Sequence, residues 1–86
     1  MTDLWLDGNG VAGTLADVFG IEVTMIARTC GGCGTTAAVG AHRAYRGAGL
    51  VLRCPGCADV AIRIARLPDR DVVLVCGSWS AELPRP

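Results

Sequence analysis

Hydrophobic residues near the start of the chain recur at helical spacing. The positions concerned are Val11, Leu15, Val18 and Phe19. Three- and four-residue steps place such side chains on one face of a helix. Asp7 or Asn9 can serve as the N-cap, and Gly20 stands where a helix commonly ends. The pattern therefore predicts a short amphipathic helix over residues 9–19, whose apolar stripe packs against a core.

From residue 21 onward, the hydrophobic pattern changes to the alternation that is typical of β-strands. The predicted strands cover residues 21–29, 35–45, 50–53, 60–65 and 72–76. Gly47-Ala48-Gly49 and Pro68-Asp69-Arg70 supply turns between them. The last of these strands is fully apolar, and residues 83–86 are expected to fray.

These elements predict a small metal-bound α+β fold, in which an antiparallel sheet carries one N-terminal helix. At 86 residues the chain is too short for two hydrophobic cores, so we expect a single domain. Within it, residues 1–20 form a helical extension, residues 21–77 form the sheet and residues 78–86 form a tail.

Two pairs of cysteines carry the strongest chemical signal. Cys30 and Cys33 form one CxxC pair, and Cys54 and Cys57 form the second after twenty intervening residues. This spacing is typical of a site in which four thiolates hold one metal ion. Glycines within and beside both pairs, together with Pro55, permit the sharp turns that bring two sulfurs to one ion. We predict a closed structural site for one zinc ion.

A redox-active CxxC is the alternative interpretation of each pair. That chemistry requires a βαβ context with a helix beginning at the motif, and neither pair is followed by a helical pattern. A shared metal site also agrees with the small size of the chain. A core of this size contributes roughly 3 to 5 kcal/mol, whereas a structural zinc ion contributes on the order of 10 kcal/mol.

The composition predicts more apolar surface than one small core can cover. Hydrophobic residues make up 51% of the chain, charged residues make up 19%, and the mean hydropathy is +0.42. We therefore expect a face that binds a protein partner or a second copy of the chain. No apolar run approaches the roughly 18 residues of a membrane span, and the acidic N-terminus does not resemble a secretion signal. These features predict a cytoplasmic protein.

The net charge is zero, but its distribution is uneven. All eight basic residues are arginines, and six of them lie between residues 28 and 66. Arg43, Arg46 and Arg53 surround the predicted hairpin, with Tyr45 among them. They are candidate contacts for nucleic acid, since arginine binds phosphate and tyrosine stacks on bases. The alternative is a solvated hairpin whose arginines balance the thiolate charge.

Four further side chains have both a structural and a functional interpretation. Trp5 and Trp79 are expected to pack together over the sheet, or one of them, with Trp79 the candidate, anchors a binding partner. Cys76 ends an apolar strand and is expected to be a buried, inert thiol. His42 is expected at the surface or beside the metal site, because four cysteines already complete that site.

The CxxC pairs and the strand order over residues 26–76 resemble zinc ribbons. Leu6-Asp7-Gly8-Asn9, Val18-Phe19-Gly20 and both CxxC pairs also resemble an uncharacterised family of short double-CxxC proteins from GC-rich bacteria. Rubredoxins share the Cys33-Gly34 pattern, although Ala58 departs from it in the second pair. Their resemblance implies iron as the alternative metal, since both ions accept tetrahedral thiolate ligands.

The resemblance to zinc ribbons implies a protein that binds other macromolecules and does not catalyse a reaction. No catalytic triad, pair of catalytic carboxylates or phosphate-binding loop is evident in the sequence. We therefore expect a non-enzymatic adaptor or small accessory subunit. A nucleic-acid-binding zinc ribbon and a rubredoxin-like electron carrier are the alternatives.

Overall fold

The computed structural model describes residues 5–82, 84 and 85, and it contains one α-helix and two antiparallel sheets. The strands are β1 (Leu6–Asp7), β2 (Ala27–Thr29), β3 (Thr36–Ala38), β4 (Arg43–Arg46), β5 (Leu50–Arg53), β6 (Val60–Arg66), β7 (Asp71–Val75) and β8 (Ser78–Ser80). The helix α1 covers Ala12–Phe19, and short 3-10 helices cover Gly8–Val11 and Val39–Ala41. The predicted fold class is confirmed.

The larger sheet has the strand order β1-β4-β5-β6-β7. Leu50 lies opposite Ile64, and Leu52 lies opposite Ile62. All four side chains are buried, because alternate residues of a strand point to the same face and α1 covers that face. We call this the helix-covered face, and the opposite one the outer face.

Helix α1 contributes Leu15 to this core, and the preceding 3-10 helix contributes Val11. Gly20 ends the helix in the left-handed conformation, with φ of 75°, and its amide donates to the carbonyl of Ala16. The predicted helix is thus confirmed from residue 12 onward. Its first turn is a 3-10 helix, and the side chain of Asp7 accepts no capping hydrogen bond there.

The smaller sheet has the order β3-β2-β8, and it corrects two predictions about strands. The predicted strand over residues 21–29 is wrong before Ala27, because the Glu22 carboxylate accepts hydrogen bonds from the Thr24 amide (2.8 Å) and hydroxyl. These bonds stabilise a local turn in place of a sheet ladder. The predicted strand over residues 35–45 is divided between the two sheets by the 3-10 helix Val39–Ala41.

The segment that the sequence assigned to the tail begins with a strand. Strand β8 pairs with β2, so that Trp79 lies opposite Arg28. Gly77, with φ of 86°, directs the chain from the larger sheet to the smaller one. Residues 83 and 86 of the predicted frayed end lie outside the described residues. None of the helices in the described part of the chain is long and apolar enough to cross a membrane.

Buried Arg28 connects the two sheets. Its Nε donates to the carbonyl oxygen of Cys76 (2.8 Å), directly after β7, and its Nη1 donates to Nε2 of His42 (3.3 Å). The Nδ1 of His42 donates in turn to the carbonyl oxygen of Ala38 (2.9 Å). His42 is therefore buried and neutral. Sequence reasoning placed it at the surface or beside the metal site, but its hydrogen-bond partners are Arg28 and Ala38.

Candidate metal centre

The first CxxC pair forms a tight turn between β2 and β3. The amide of Cys30 donates to the carbonyl of Thr35 (2.9 Å), and the amide of Gly34 donates to the carbonyl of Cys30 (3.0 Å). The amide of Gly32 points at the Cys30 sulfur, 3.4 Å away. These contacts close the loop and direct both sulfurs to the same side.

The second pair repeats this geometry between β5 and β6, with every residue number 24 higher. The amide of Cys54 donates to the carbonyl of Asp59 (2.8 Å), and the amide of Ala58 donates to the carbonyl of Cys54 (2.9 Å). The amide of Gly56 lies 3.3 Å from the Cys54 sulfur. The two loops are therefore copies of one structure, which we call the knuckles.

The knuckles also share a left-handed residue directly after their second cysteine. Gly34 has φ of 78° and Ala58 has φ of 67°. Glycine adopts this conformation freely, but an alanine in it is strained, because its Cβ crowds the following carbonyl. Alanine at position 58, where the CxxCG pattern has glycine, therefore raises the energy of this turn but leaves its conformation unchanged.

The four sulfurs have the spacing of a tetrahedral thiolate site. They all lie within 4.8 Å of one another, and the pairs Cys30–Cys57 and Cys33–Cys54 are 3.7 Å apart. A zinc–sulfur distance of about 2.3 Å places tetrahedral ligands about 3.8 Å apart. The four predicted ligands therefore fit a single ion, with Cys30 and Cys54 buried and Cys33 and Cys57 exposed.

Each knuckle also packs against a residue that lies just after the other knuckle in the chain. A Cβ at Gly32 would collide with the Asp59 carboxylate, and a Cβ at Gly56 would collide with the Thr35 hydroxyl. The Thr35 hydroxyl also accepts a hydrogen bond from the Cys33 thiol (3.1 Å). Thr35 and Asp59 are not among the site residues predicted from the sequence. Their position two residues after the second cysteine of each pair is the signal that marks them.

The thiols of the cluster differ in their ease of ionisation. Backbone amides of Cys33 and Gly32 lower the pKa of Cys30 to about 6. The amide of Asp59 lowers the pKa of Cys57, but desolvation and the neighbouring thiols outweigh it and raise the pKa to about 12. A bound cation therefore has to displace a tightly held proton from Cys57. Metal affinity should fall as the pH falls.

The basic residues of the β4–β5 hairpin divide between the two faces of the larger sheet. Arg43 lies directly opposite Arg53, and Tyr45 lies next to Arg53 on the outer face, with the Arg53 Cζ 6.0 Å from the tyrosine ring. Strand alternation places Arg46 on the other face. The structure thus brings three of the four residues together.

The two tryptophans pack with different neighbours. Trp5 is exposed and carries the Arg43 guanidinium over its ring, at 5.2 Å from the centroid. Trp79 is half-buried, with its ring centroid 5.7 Å from that of Phe19. Cys76 is half-buried and lies outside the cluster of four cysteines. Of the two tryptophans, Trp5 is the more accessible to a partner.

Comparison with known proteins identifies the chain at the level of the family. No curated protein and no solved structure matches the chain. The repeated knuckles and the helix that precedes them agree with the resemblance noted for Leu6-Asp7-Gly8-Asn9 and Val18-Phe19-Gly20. A family model described as a family of unknown function (DUF6510) matches residues 1–86, and the chain therefore belongs to that family.

Proposed function

We propose that the protein is a non-enzymatic zinc-binding ribbon that acts as an adaptor or small accessory subunit. The observation that carries this proposal is the closed set of four sulfurs, all within 4.8 Å of one another. Catalytic zinc sites hold the ion by three protein ligands and leave one position open for water or substrate. Four thiolates fill every position of a tetrahedral ion, so the site suits a structural role.

Zinc is proposed over iron because of the exposure of the cluster. Cys33 and Cys57 are both exposed, so an ion held by the four sulfurs would face water on one side. Zinc has no redox chemistry, so exposure to water leaves its structural role unchanged, whereas solvent exposure shifts the reduction potential on which an electron-transferring iron relies. The rubredoxin-like alternative predicts a coloured protein.

The adaptor role is supported by apolar side chains outside the core. Ile21 and Met25 are exposed in the irregular segment that precedes β2, and the apolar residues of β7 are exposed at the edge of the larger sheet. Exposed apolar groups of this extent favour binding to another protein surface. The structural ion would hold the two sheets, and hence these groups, in a fixed arrangement.

Metal analysis of untagged protein from its native host tests the proposal. We expect one zinc per chain, no visible absorption, and loss of the folded circular dichroism spectrum when a strong chelator removes the ion. Cys30→Ser should cause the same loss, and Cys76→Ser is the matched control that should keep both zinc and fold. One iron per chain with thiolate-to-iron absorption, or a folded metal-free Cys30→Ser variant, would contradict the proposal.

A second candidate function is binding of single-stranded nucleic acid on the outer face. Arg43 and Arg53 lie opposite each other, and like charges in that position destabilise a sheet. A phosphate between them would relieve the repulsion, and Trp5 and Tyr45 provide rings on which bases stack.

Fluorescence anisotropy with a labelled single-stranded oligonucleotide tests this second function. We expect affinity to fall steeply with salt and to decrease in Arg43→Ala. Arg70→Ala is the control, because Arg70 lies in a turn and pairs with Asp69. Absence of binding at low salt, or an equal loss in both variants, would contradict it.

A further inference from the structure

Strand β7 is an edge strand with an unusually apolar surface. It pairs with β6 alone among the described strands of the larger sheet. Its four apolar residues are half-exposed: Val72 (50%), Val73 (36%), Leu74 (52%) and Val75 (42%). Natural edge strands are commonly protected by lysine, proline or a bulge, because their free backbone groups can pair with another strand. Residues 72–75 carry none of these protections.

The hydrogen-bond pattern shows which backbone groups of β7 are free. The amide of Leu67 donates to the carbonyl of Arg70, and the amide of Cys76 donates to the carbonyl of Ala61. Backbone groups in an antiparallel strand alternate in direction, so residues 70, 72, 74 and 76 point to β6. Asp71, Val73 and Val75 therefore direct their N–H and C=O groups away from the sheet.

We propose that β7 pairs with β7 of a second copy, antiparallel, about a two-fold axis at Val73. This inference rests on the proposed adaptor function and names its partner. With the axis at Val73, each Val73 faces its counterpart, and Asp71 of each chain faces Val75 of the other. Every outward backbone group then finds a partner, which gives six hydrogen bonds between the copies.

The charges of β7 are compatible with this pairing. Asp71 already binds Arg66, with Nε 2.9 Å from Oδ1. The two-fold axis places the two Asp71 carboxylates at opposite ends of the strand pair, about 14 Å apart along the strands. No like charges face each other, and the apolar side chains of both copies meet on both faces of a continuous sheet.

The size of the contact and the other sheet edge predict a weak, closed dimer. One five-residue strand buries less than the roughly 800 Å² per partner of a standard interface, so we expect dissociation in the micromolar range. The opposite edge of the sheet is β1, which has only two residues. An edge this short does not extend the sheet further, so the two-fold contact ends the assembly at two copies.

Sedimentation velocity of the zinc-loaded chain, from about 1 to 500 µM, tests the pairing. We expect a shift from monomer to dimer, and amide hydrogen exchange that slows with concentration at Asp71, Val73 and Val75. The amides of Val72 and Leu74, which already bind β6, should be protected at every concentration.

Two variants test the position of the axis. Val73→Lys places like charges opposite each other and should weaken the dimer at least tenfold. Val72→Lys, on the other face and opposite Leu74 of the second copy, should weaken it much less. Circular dichroism and zinc content show that each variant is folded.

A chain that stays monomeric at all concentrations while holding one zinc ion would overturn the pairing and leave the metal site intact. A dimer that survives Val73→Lys, or one without the alternating exchange pattern, would also overturn it. Loss of zinc with retention of the dimer would instead overturn the proposed function.

Discussion

The strained alanine in the second knuckle predicts opposite effects on stability for two substitutions. Ala58 and Gly34 occupy equivalent, exposed positions with φ of 67° and 78°. Ala58→Gly should stabilise the protein, and Gly34→Ala should destabilise it. No atom lies within 4 Å of a Cβ built at Gly34, so backbone conformation alone decides the second change.

The magnitude follows from two opposing contributions. The left-handed conformation costs an L-residue about 1 to 2 kcal/mol. Glycine increases the conformational entropy of the unfolded chain, which costs about 0.4 to 1 kcal/mol. The difference is about 0.5 to 1 kcal/mol in favour of glycine at either position. For a domain of this size, the melting temperature should rise by about 2 to 8 °C in Ala58→Gly and fall by a similar amount in Gly34→Ala.

Thermal denaturation of the zinc-loaded variants, followed by circular dichroism at a fixed excess of zinc, measures both shifts. The double variant with both changes serves as the control, since two independent effects of opposite sign should nearly cancel. A lower melting temperature for Ala58→Gly would refute the assignment of strain to residue 58. Equal shifts of the same sign would show that the knuckles are not equivalent.

Three further predictions concern the core and the buried polar chain. Arg28→Met should lower the free energy of unfolding by about 2 to 4 kcal/mol, because the Cys76 carbonyl and His42 Nε2 lose their donor; urea denaturation measures it, and unchanged stability would contradict it. Burial holds the pKa of His42 below 6.5; the hydrogen bond to the Ala38 carbonyl partly opposes this effect, and the nearby Arg28 lowers the pKa further. His42 therefore stabilises the fold fully above about pH 6.5 and less as the pH falls below that value, and proton NMR of this single histidine should give a titration midpoint below 6.5. Leu52→Ala should cost about 2 to 5 kcal/mol, whereas Ile21→Ala, at an exposed position, should change stability by less than about 0.5 kcal/mol; similar losses would refute the assigned core.

The sequence predicted which four cysteines come together, because the signal is local. Cysteines three positions apart, beside glycines, specify a turn whatever the rest of the chain does. Strands β5 and β6 were also predictable, since residues 50–52 are a short apolar run between a glycine-containing turn and the second CxxC pair, and Ile62 and Ile64 alternate with small or polar residues.

The errors arose where side chains or long-range contacts decide the structure. Glu22 bonds to Thr24 and turns a segment whose hydrophobic alternation suggests a strand. Strand β8 has the sequence Ser-Trp-Ser and forms only because β2 offers it a free edge. The exposure of β7 could not be predicted either, because an apolar strand has the same sequence pattern in the centre of a sheet and at its edge.

Because of their position along the chain, the knuckles can form before the smaller sheet is complete during synthesis. Both CxxC pairs are complete once residue 57 has left the ribosome, whereas the smaller sheet needs Ser78–Ser80 to add its third strand to β2. At about 5 to 20 residues per second, translation separates these two events by about one to five seconds. If the proposed metal site is correct, the nascent chain can thus bind an ion before its fold is complete, and β8 then pairs with β2 on a chain that already carries a metal.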